Sequence, residues 1–115
     1  MPRHWAETVA KRYLLTRGYA LLAENYAVRG GEIDLVMQQG EVIVFVEVRQ
    51  RKSAHYGSAA ASITPQKLAR LRKTALHYLV RTFERDDLAV RFDAVLVEGK
   101  REDFRLEHLT HISEG

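Results

Sequence analysis

The chain of 115 residues is the size of one compact domain, and 46% hydrophobic residues are enough to bury a core without covalent or metal cross-links. It contains no cysteine, which excludes disulfides and thiolate metal sites. A net charge of +3 permits a polyanionic partner without requiring one.

The N-terminal segment MPRHWAETVAKRYL contains no apolar stretch of signal-peptide length. No other segment approaches the ~20 apolar residues that a membrane helix needs. We therefore expect residues 1–115 to form one soluble, cytoplasmic domain that makes no contact with a membrane.

The first predicted elements are a helix and an outer strand. Apolar residues at helical spacing predict a helix from Trp5 to Arg17, with Gly18 ending it. Within this helix Glu7 and Lys11 lie four residues apart, a spacing typical of a surface ion pair. A strand is predicted to follow from Tyr19 to Tyr26.

The most informative stretch is 31–51, GEIDLVMQQGEVIVFVEVRQR, which predicts two strands joined by a tight turn. The second of these strands, Val42 to Val48, is apolar on both faces, as in the covered centre of a sheet. Glu47 and Arg49 interrupt it on one face, because residues two apart in a strand point the same way. Asp34 is a lone carboxylate in the preceding strand.

Whether Asp34 meets Glu47 depends on the turn between the two strands. A turn of even length centred on residues 39–40 places Asp34 across from Phe45. Glu47 is then the diagonal neighbour of Asp34 on the same face, within roughly 7 Å, whereas a three-residue turn places the two on opposite faces. Two carboxylates that close repel each other unless a cation lies between them, and magnesium is the simplest candidate.

A simpler interpretation of the hairpin needs no metal. Asp34 is then an exposed edge residue, and Glu47 forms a strand-end ion pair with Arg49 or Arg51. For the isolated pair of carboxylates, the sequence pattern leaves both interpretations open.

Residues 52–63, KSAHYGSAAASI, are small and polar and predict a loop at the end of the central strand. Loops in this position carry function more often than the scaffold does. His55 and Tyr56 are candidates for substrate contact, the alternative for His55 being an ordinary surface residue.

The second helix has the clearest start signal, Thr64 as N-cap and Pro65 at the first helical position, and is predicted to run to about Glu84. Its predicted buried residues are Leu68, Leu71, Ala75, Tyr78 or Leu79, and Phe83. The other side carries a basic stripe: Lys67, Arg70, Lys73, His77 and Arg81. Such a stripe suits a phosphate backbone without reading sequence, and a solvated helix face has the same pattern. The candidate nucleic-acid contacts are Arg29, Arg51, Lys67, Arg70 and Lys73.

Two strands complete the predicted chain. Ala89 to Glu98 alternates, with Asp93 on the side of Val95 and Val97, and we interpret Asp93 as a structural residue or the partner of a basic residue. A final strand is predicted from Phe104 to Ile112. His108 and His111 lie three apart within it, on opposite faces, which disfavours a two-histidine metal site.

The segments GEIDLV, VFVEVRQR and YG, followed by a helix that opens TPQK, resemble the YraN-like family of predicted bacterial endonucleases. That family is similar to the PD-(D/E)XK nuclease superfamily, which includes restriction endonucleases and archaeal Holliday-junction resolvases. The resemblance extends from Glu7 to the strand RFDAVLV. The GEID and VEVR segments at this separation are its specific part.

The resemblance implies that Asp34 and Glu47 bind the metal, Mg²⁺ or Mn²⁺, and suggests Glu7 as a further acidic member. Arg49 stands where the superfamily motif usually has lysine. Lysine can lose its proton when buried, whereas arginine stays charged and only donates hydrogen bonds. Arg49 is therefore expected to hold the scissile phosphate, and Lys67 is the candidate to take over the role of the lysine.

The predicted fold is α/β: a restriction-endonuclease-like core with a mixed five-stranded sheet flanked by helices, in the order αβββαββ. The predicted function is metal-dependent hydrolysis of phosphodiester bonds in nucleic acid, with DNA recognised by structure and not by sequence. Two alternatives remain: a nucleic-acid-binding protein on a nuclease fold that does not cut, and an interaction module whose acidic hairpin is a salt-bridge network. A homodimer that places two sites on two strands is compatible with so small a core.

Overall fold

The strands form one mixed sheet in a computed structural model that describes residues 4–51 and 63–114. The elements are α1 (Trp5–Thr16), β1 (Ala20–Val28), β2 (Gly31–Gln39), β3 (Val42–Arg51), α2 (Pro65–Phe83), β4 (Val90–Lys100) and β5 (Asp103–Leu109), followed by a short 3₁₀ turn (Ile112–Glu114). The strands lie side by side in sequence order; β3 and β4 are parallel and the other pairs are antiparallel. The predicted mixed five-stranded sheet and the order αβββαββ are thus confirmed. The predicted loop at 52–63, with His55 and Tyr56, lies outside the described residues except for Ile63.

One face of the sheet is covered by α1. His4 caps the helix by accepting the backbone N–H of Ala6 at 3.1 Å, and the helix ends one residue earlier than predicted, before a left-handed Gly18. Ala10 and Leu14 are fully buried against the sheet. Their neighbours in this core are Leu35, Met37, Val44, Val46, Val95 and Val97.

The opposite face is covered by α2, which connects the parallel strands β3 and β4. Thr64 accepts the backbone N–H of Lys67 at 3.2 Å and Pro65 is the first helical residue, as predicted. The helix buries Leu71, Thr74, Ala75, Tyr78 and Leu79. The prediction that Phe83 is buried is wrong: it lies in the last turn, is 39% exposed, and meets the edge of the Tyr78 ring.

Thr74 is buried, but it was not among the predicted buried residues of the helix because threonine is polar. Its hydroxyl donates to the carbonyl of Arg70 at 2.8 Å, which satisfies it inside the core. A Cβ on Gly31 would collide with this hydroxyl, so the glycine lets α2 approach the start of β2. This close approach brings the first turn of α2 to the acidic hairpin.

The hairpin between β2 and β3 has a turn of even length, as predicted, but centred one residue later. Gln39 pairs with Val42, so the turn residues are Gly40 and Glu41. Gly40 has φ of +60°, and two-residue turns of this kind favour glycine at the first position. The predicted pairing of Asp34 with Phe45 is therefore wrong, because the register is displaced by two residues.

On the α1 face, Asp93 is fully buried and is held by basic partners, in line with its interpretation as a partner of a basic residue. Its carboxylate accepts two hydrogen bonds from Arg91, both at 2.9 Å, and lies 2.8 Å from Nε2 of His108. The last strand ends at Leu109 and not at Ile112, because the chain turns at His111, where φ is +55°. The backbone N–H of His111 also donates to Asp93, at 3.2 Å.

Across the described ranges, no helix is both long enough and apolar enough to cross a membrane.

Candidate active site

The sheet divides at Asp34 and Glu47. The ladder between β2 and β3 runs from Gln39 opposite Val42 to Leu35 opposite Val46. Beyond that pair, β2 continues beside β1 and β3 continues beside β4. One further step in the same register would set Asp34 opposite Glu47, so each carboxylate is the first residue after the ladder ends on its own strand. We call this place the fork.

Asp34 is fixed at the fork by a hydrogen bond to the neighbouring strand. Its Oδ2 accepts the backbone N–H of Val48 at 2.8 Å. The side chain thus takes the place that a backbone carbonyl would have in a continued ladder, and it satisfies a donor that the separation of the strands would leave unpaired. The position of this carboxylate relative to β3 is therefore set by the sheet and not by a loop.

The environment of Asp34 disfavours its charged form. The pKa of Asp34 is raised from 3.8 to about 7, mainly by burial and against the lowering effect of the Val48 hydrogen bond. Repulsion by the carboxylates of Glu47, Glu7 and Glu32 contributes to this rise. A cation bound at the fork would relieve both the repulsion and part of the cost of burial.

Glu47 is half-buried too, but it has basic neighbours. Burial raises its pKa, whereas the guanidinium of Arg49 and the ammonium of Lys67 lower it. Arg49 lies 3.7 Å from the Glu47 carboxylate, so the strand-end ion pair anticipated as the simpler interpretation does form. It does not explain Asp34, because that carboxylate is held by a backbone N–H and surrounded by other carboxylates.

A small pocket of about 150 Å³ lies beside the fork, between the start of β2, the end of β3 and the first turns of α2. Its lining residues are Gly31, Glu32, Glu47, Lys67, Arg70 and Leu71. Two carboxylates and two basic side chains share this pocket, a donor set suited to a cation together with a phosphate. Glu32 was missed as a site residue. Its signal was the spacing of two residues from Asp34 within GEID.

Glu7 approaches the fork from α1. Its Oε1 accepts a hydrogen bond from Nδ2 of Asn25 at 2.9 Å, and its charge contributes to the raised pKa of Asp34. The predicted ion pair between Glu7 and Lys11 is wrong, because Lys11 instead binds Glu24 on β1 at 2.9 Å. The amide of Asn25 thus orients the Glu7 carboxylate, whose charge acts on Asp34.

The remaining basic candidates differ in their distance from the pocket. Arg29 occupies the exposed turn just before Gly31, and Arg51 is the half-buried last residue of β3, beside Glu98 on β4. Lys73 is exposed and follows Lys67 by roughly 9 Å along the helix.

His77 belongs to the predicted basic stripe, but its ring forms a hydrogen bond with Tyr26: Nδ1 lies 2.6 Å from the tyrosine hydroxyl.

The donor set at the fork suits a hard divalent cation. Within residues 4–51 and 63–114, no group of three or more His, Cys, Asp or Glu residues is arranged to hold a metal. Mg²⁺ is usually bound by one or two carboxylates, with waters and substrate phosphates completing its shell. Two half-buried carboxylates beside a basic pocket fit that mode and do not fit a closed site made of protein ligands alone.

Comparison with known proteins places the chain in a family. The model of the uncharacterised protein family UPF0102 matches residues 6–97, which include the fork, Lys67 and Arg70. A UPF0102 protein of Thermus thermophilus is 50% identical over 105 residues, which cover 91% of this chain and 90% of that protein. One from Nitrosomonas eutropha is 50% identical over 97 residues (84% and 82%), and one from Deinococcus radiodurans is 45% identical over 105 residues (90% and 85%). The chain therefore belongs to the uncharacterised protein family UPF0102, the YraN-like family that its GEID and VEVR motifs indicate.

Proposed function

We propose that this protein is a metal-dependent endonuclease that hydrolyses phosphodiester bonds in structured DNA. The observation that carries the proposal is the fork: two half-buried carboxylates, one with its pKa raised to about 7, next to a pocket that contains Lys67 and Arg70. Buried carboxylates with perturbed pKa values in a cleft are typical of functional sites. The motif resemblance supports the same reading, and with it a restriction-endonuclease-like core.

In this proposal Asp34 and Glu47 hold Mg²⁺ or Mn²⁺. When bound, the metal lowers the pKa of a water molecule and stabilises the charge that develops on the phosphate. Asp34 is presented by its hydrogen bond to Val48, and Glu7 and Glu32 add negative potential that favours cation entry.

The basic residues act on the substrate. Arg49 stays charged, so it neutralises the scissile phosphate and does not remove a proton. Lys67 stands close enough to Glu47 to lower its pKa, and it donates to the phosphate or to the attacking water from the first turn of α2. Arg70, Lys73, Arg29 and Arg51 bind the flanking backbone without reading sequence.

Cation binding at the fork is expected to depend steeply on pH. Asp34 must lose its proton to act as a ligand, so the apparent affinity for Mn²⁺ should rise about tenfold per pH unit below pH ~7 and level off above it. Titration calorimetry between about pH 5.5 and pH 8 measures this, with proton release read from buffers of different ionisation enthalpy. Glu41→Gln, in the exposed turn of the hairpin, should keep the pH profile, whereas an affinity that does not change with pH would contradict the role of Asp34.

DNA binding is expected to depend on the first turns of α2. Lys67→Ala and Arg70→Ala should each weaken binding to any DNA sequence and reduce the slope of log affinity against log salt by roughly 0.7–0.9. Fluorescence anisotropy in EDTA at several salt concentrations measures both quantities. Arg81→Ala is the matched control, because it lies on the same helix roughly 21 Å farther on. Equal losses in all three variants would show that only net charge matters.

A protein that binds nucleic acid without cutting it is the second candidate function. The ion pair between Arg49 and Glu47 favours it, because it occupies one carboxylate with an arginine that cannot act as a base. Branched, flapped and single-stranded DNA incubated with Mg²⁺, Mn²⁺ or EDTA separates the two functions. Cleavage that requires the metal supports the endonuclease, and salt-sensitive binding without cleavage supports the binding protein. An interaction module would show neither.

A further inference from the structure

A second concave surface lies on the α1 face of the sheet, between α1 and the hairpin of β4 and β5. It is an open groove of about 520 Å³, a volume within the range of roughly 300–1,000 Å³ typical of small-ligand sites. Residues from α1 form one wall (Trp5, Thr8, Val9, Arg12, Tyr13 and Thr16). The hairpin supplies the other (Arg101, Phe104 and Leu106).

The groove is mainly apolar and contains aromatic rings from both walls. Trp5 and Phe104 lie with their ring centroids 5.7 Å apart and their planes tilted by 55°. Phe104 is 38% exposed although it is a large apolar residue. Exposed aromatic faces in a groove are the surfaces on which the bases of single-stranded nucleic acids stack.

Two guanidinium groups accompany these rings. Arg12 and Arg101 are exposed and line the groove from opposite walls. Over the part of the chain that the structure describes, no carboxylate forms an ion pair with either. An apolar groove with these two positive charges is complementary to a planar ring attached to an anion. A purely apolar partner would make no favourable electrostatic interaction with the two arginines.

The groove lies apart from the fork. The pocket beside the fork is lined by Lys67 and Arg70 of α2, whereas α1 forms one wall of the groove, so the two sites lie on opposite faces of the sheet. Phe104 pairs with Gly99, which lies five residues, roughly 16 Å, along β4 from Ala94, the partner of Glu47. A strand whose phosphate reaches the fork therefore reaches the groove only several nucleotides farther along.

We propose that this groove binds an unstacked base of the substrate strand, several nucleotides from the phosphodiester at the fork. The base stacks on Phe104 and Trp5, and Arg12 and Arg101 bind the adjoining phosphates. The proposal rests on the nuclease function proposed above and narrows its substrate to nucleic acid that carries a single-stranded stretch several nucleotides from the cut.

Trp5 is the only tryptophan of the chain, so intrinsic fluorescence reports on this groove. The full-length protein is titrated in EDTA with three probes: an eight-residue oligothymidylate, an abasic strand of the same length, and a duplex of the same length. We expect the oligothymidylate to quench Trp5 and to bind more tightly than the abasic strand or the duplex. Phe104→Ala should weaken its binding about 5- to 100-fold, and Arg101→Gln should also weaken it.

Phe83→Ala and Arg105→Gln are the matched controls, because Phe83 is 39% exposed on the other side of the sheet and Arg105 is exposed without lining the groove. Both variants should bind the oligothymidylate as the wild type does.

The proposal is overturned by equal affinity for the abasic strand and the oligothymidylate, or by unchanged affinity of Phe104→Ala for the oligothymidylate. It is also overturned if the Trp5 fluorescence changes only with protein concentration, because a second copy of the protein then occupies the groove. Cleavage by the wild type is assayed separately with Mg²⁺ and tests the nuclease function. Base binding without cleavage would contradict only the nuclease function. Cleavage without a preference for bases would contradict only the proposed role of the groove.

Discussion

Asp34→Asn is expected to lower the proposed metal-dependent cleavage by at least about 10³-fold while leaving the protein folded, since metal coordination supplies several kcal/mol of transition-state stabilisation. The asparagine oxygen can still accept the backbone N–H of Val48, so the substitution removes the charge and keeps the contact that fixes the fork. Glu47→Gln should have an effect of similar size. Single-turnover cleavage of a branched DNA at saturating Mg²⁺ measures both.

Asp34→Asn should also stabilise the metal-free protein against unfolding, by roughly 1–3 kcal/mol at pH 8. The pKa of Asp34 in the folded state, about 7, is above its ordinary value of 3.8, so the favourable contribution of this group is complete below pH ~3.8 and is lost as the pH rises through 7. Urea denaturation at pH 4 and pH 8, in EDTA, should therefore show a gain from Asp34→Asn only at the higher pH. Glu41→Gln, in the exposed turn of the hairpin, is the control and should change stability little. Retained cleavage, or a loss of stability at pH 8, would mark Asp34 as structural.

Local sequence signals predicted the elements well because each has a local cause. Thr64 and Pro65 set the start of α2 through a cap and a missing donor, and Gly18 ends the first helix through its left-handed backbone. Alternating and continuous apolar runs likewise indicated the strands and the covered centre of the sheet. The prediction that Phe83 is buried was wrong because helical periodicity does not indicate where the sheet beneath a helix ends.

The site was predictable only in part, because it depends on how the strands separate. The even-length turn was foreseen, but the position of Gly40 within it moved the register by two residues. No periodicity indicates that the ladder stops at Leu35, and the hydrogen bond from Val48 to Asp34 exists only because it stops there. Glu7 joins the cluster through tertiary packing and could be suggested only by resemblance. Glu32 was not found, although it lies two residues from Asp34 on the same strand.

Asp93→Asn is expected to be the most destabilising of the single substitutions considered, at about 3–5 kcal/mol, because it leaves a buried cation without its counter-charge. Asp93 has no exposed surface and accepts hydrogen bonds from Arg91, His108 and the backbone of His111. Arg91 is itself only 12% exposed, so water cannot replace the lost carboxylate. Chemical denaturation followed by Trp5 fluorescence at pH 7 measures the change in the free energy of unfolding.

Asp87→Asn is a close control for this prediction. Arg85 binds Asp87 from two residues upstream, as Arg91 binds Asp93, and through two similarly short contacts, but both members of the Arg85 pair are exposed. Exposed ion pairs contribute little to stability, so the free energy of unfolding of this variant should be close to that of the wild type.

The contribution of Asp93 to stability depends on pH. Burial alone would raise the pKa of Asp93, but the hydrogen bonds from His108 and Arg91 hold it below its ordinary value. The contribution of Asp93 is therefore present above pH ~3.8 and is lost as the pH falls toward the folded-state pKa. The wild type should accordingly lose its advantage over Asp93→Asn in acid, and equal effects of the two aspartate substitutions at pH 7 would contradict the importance of burial.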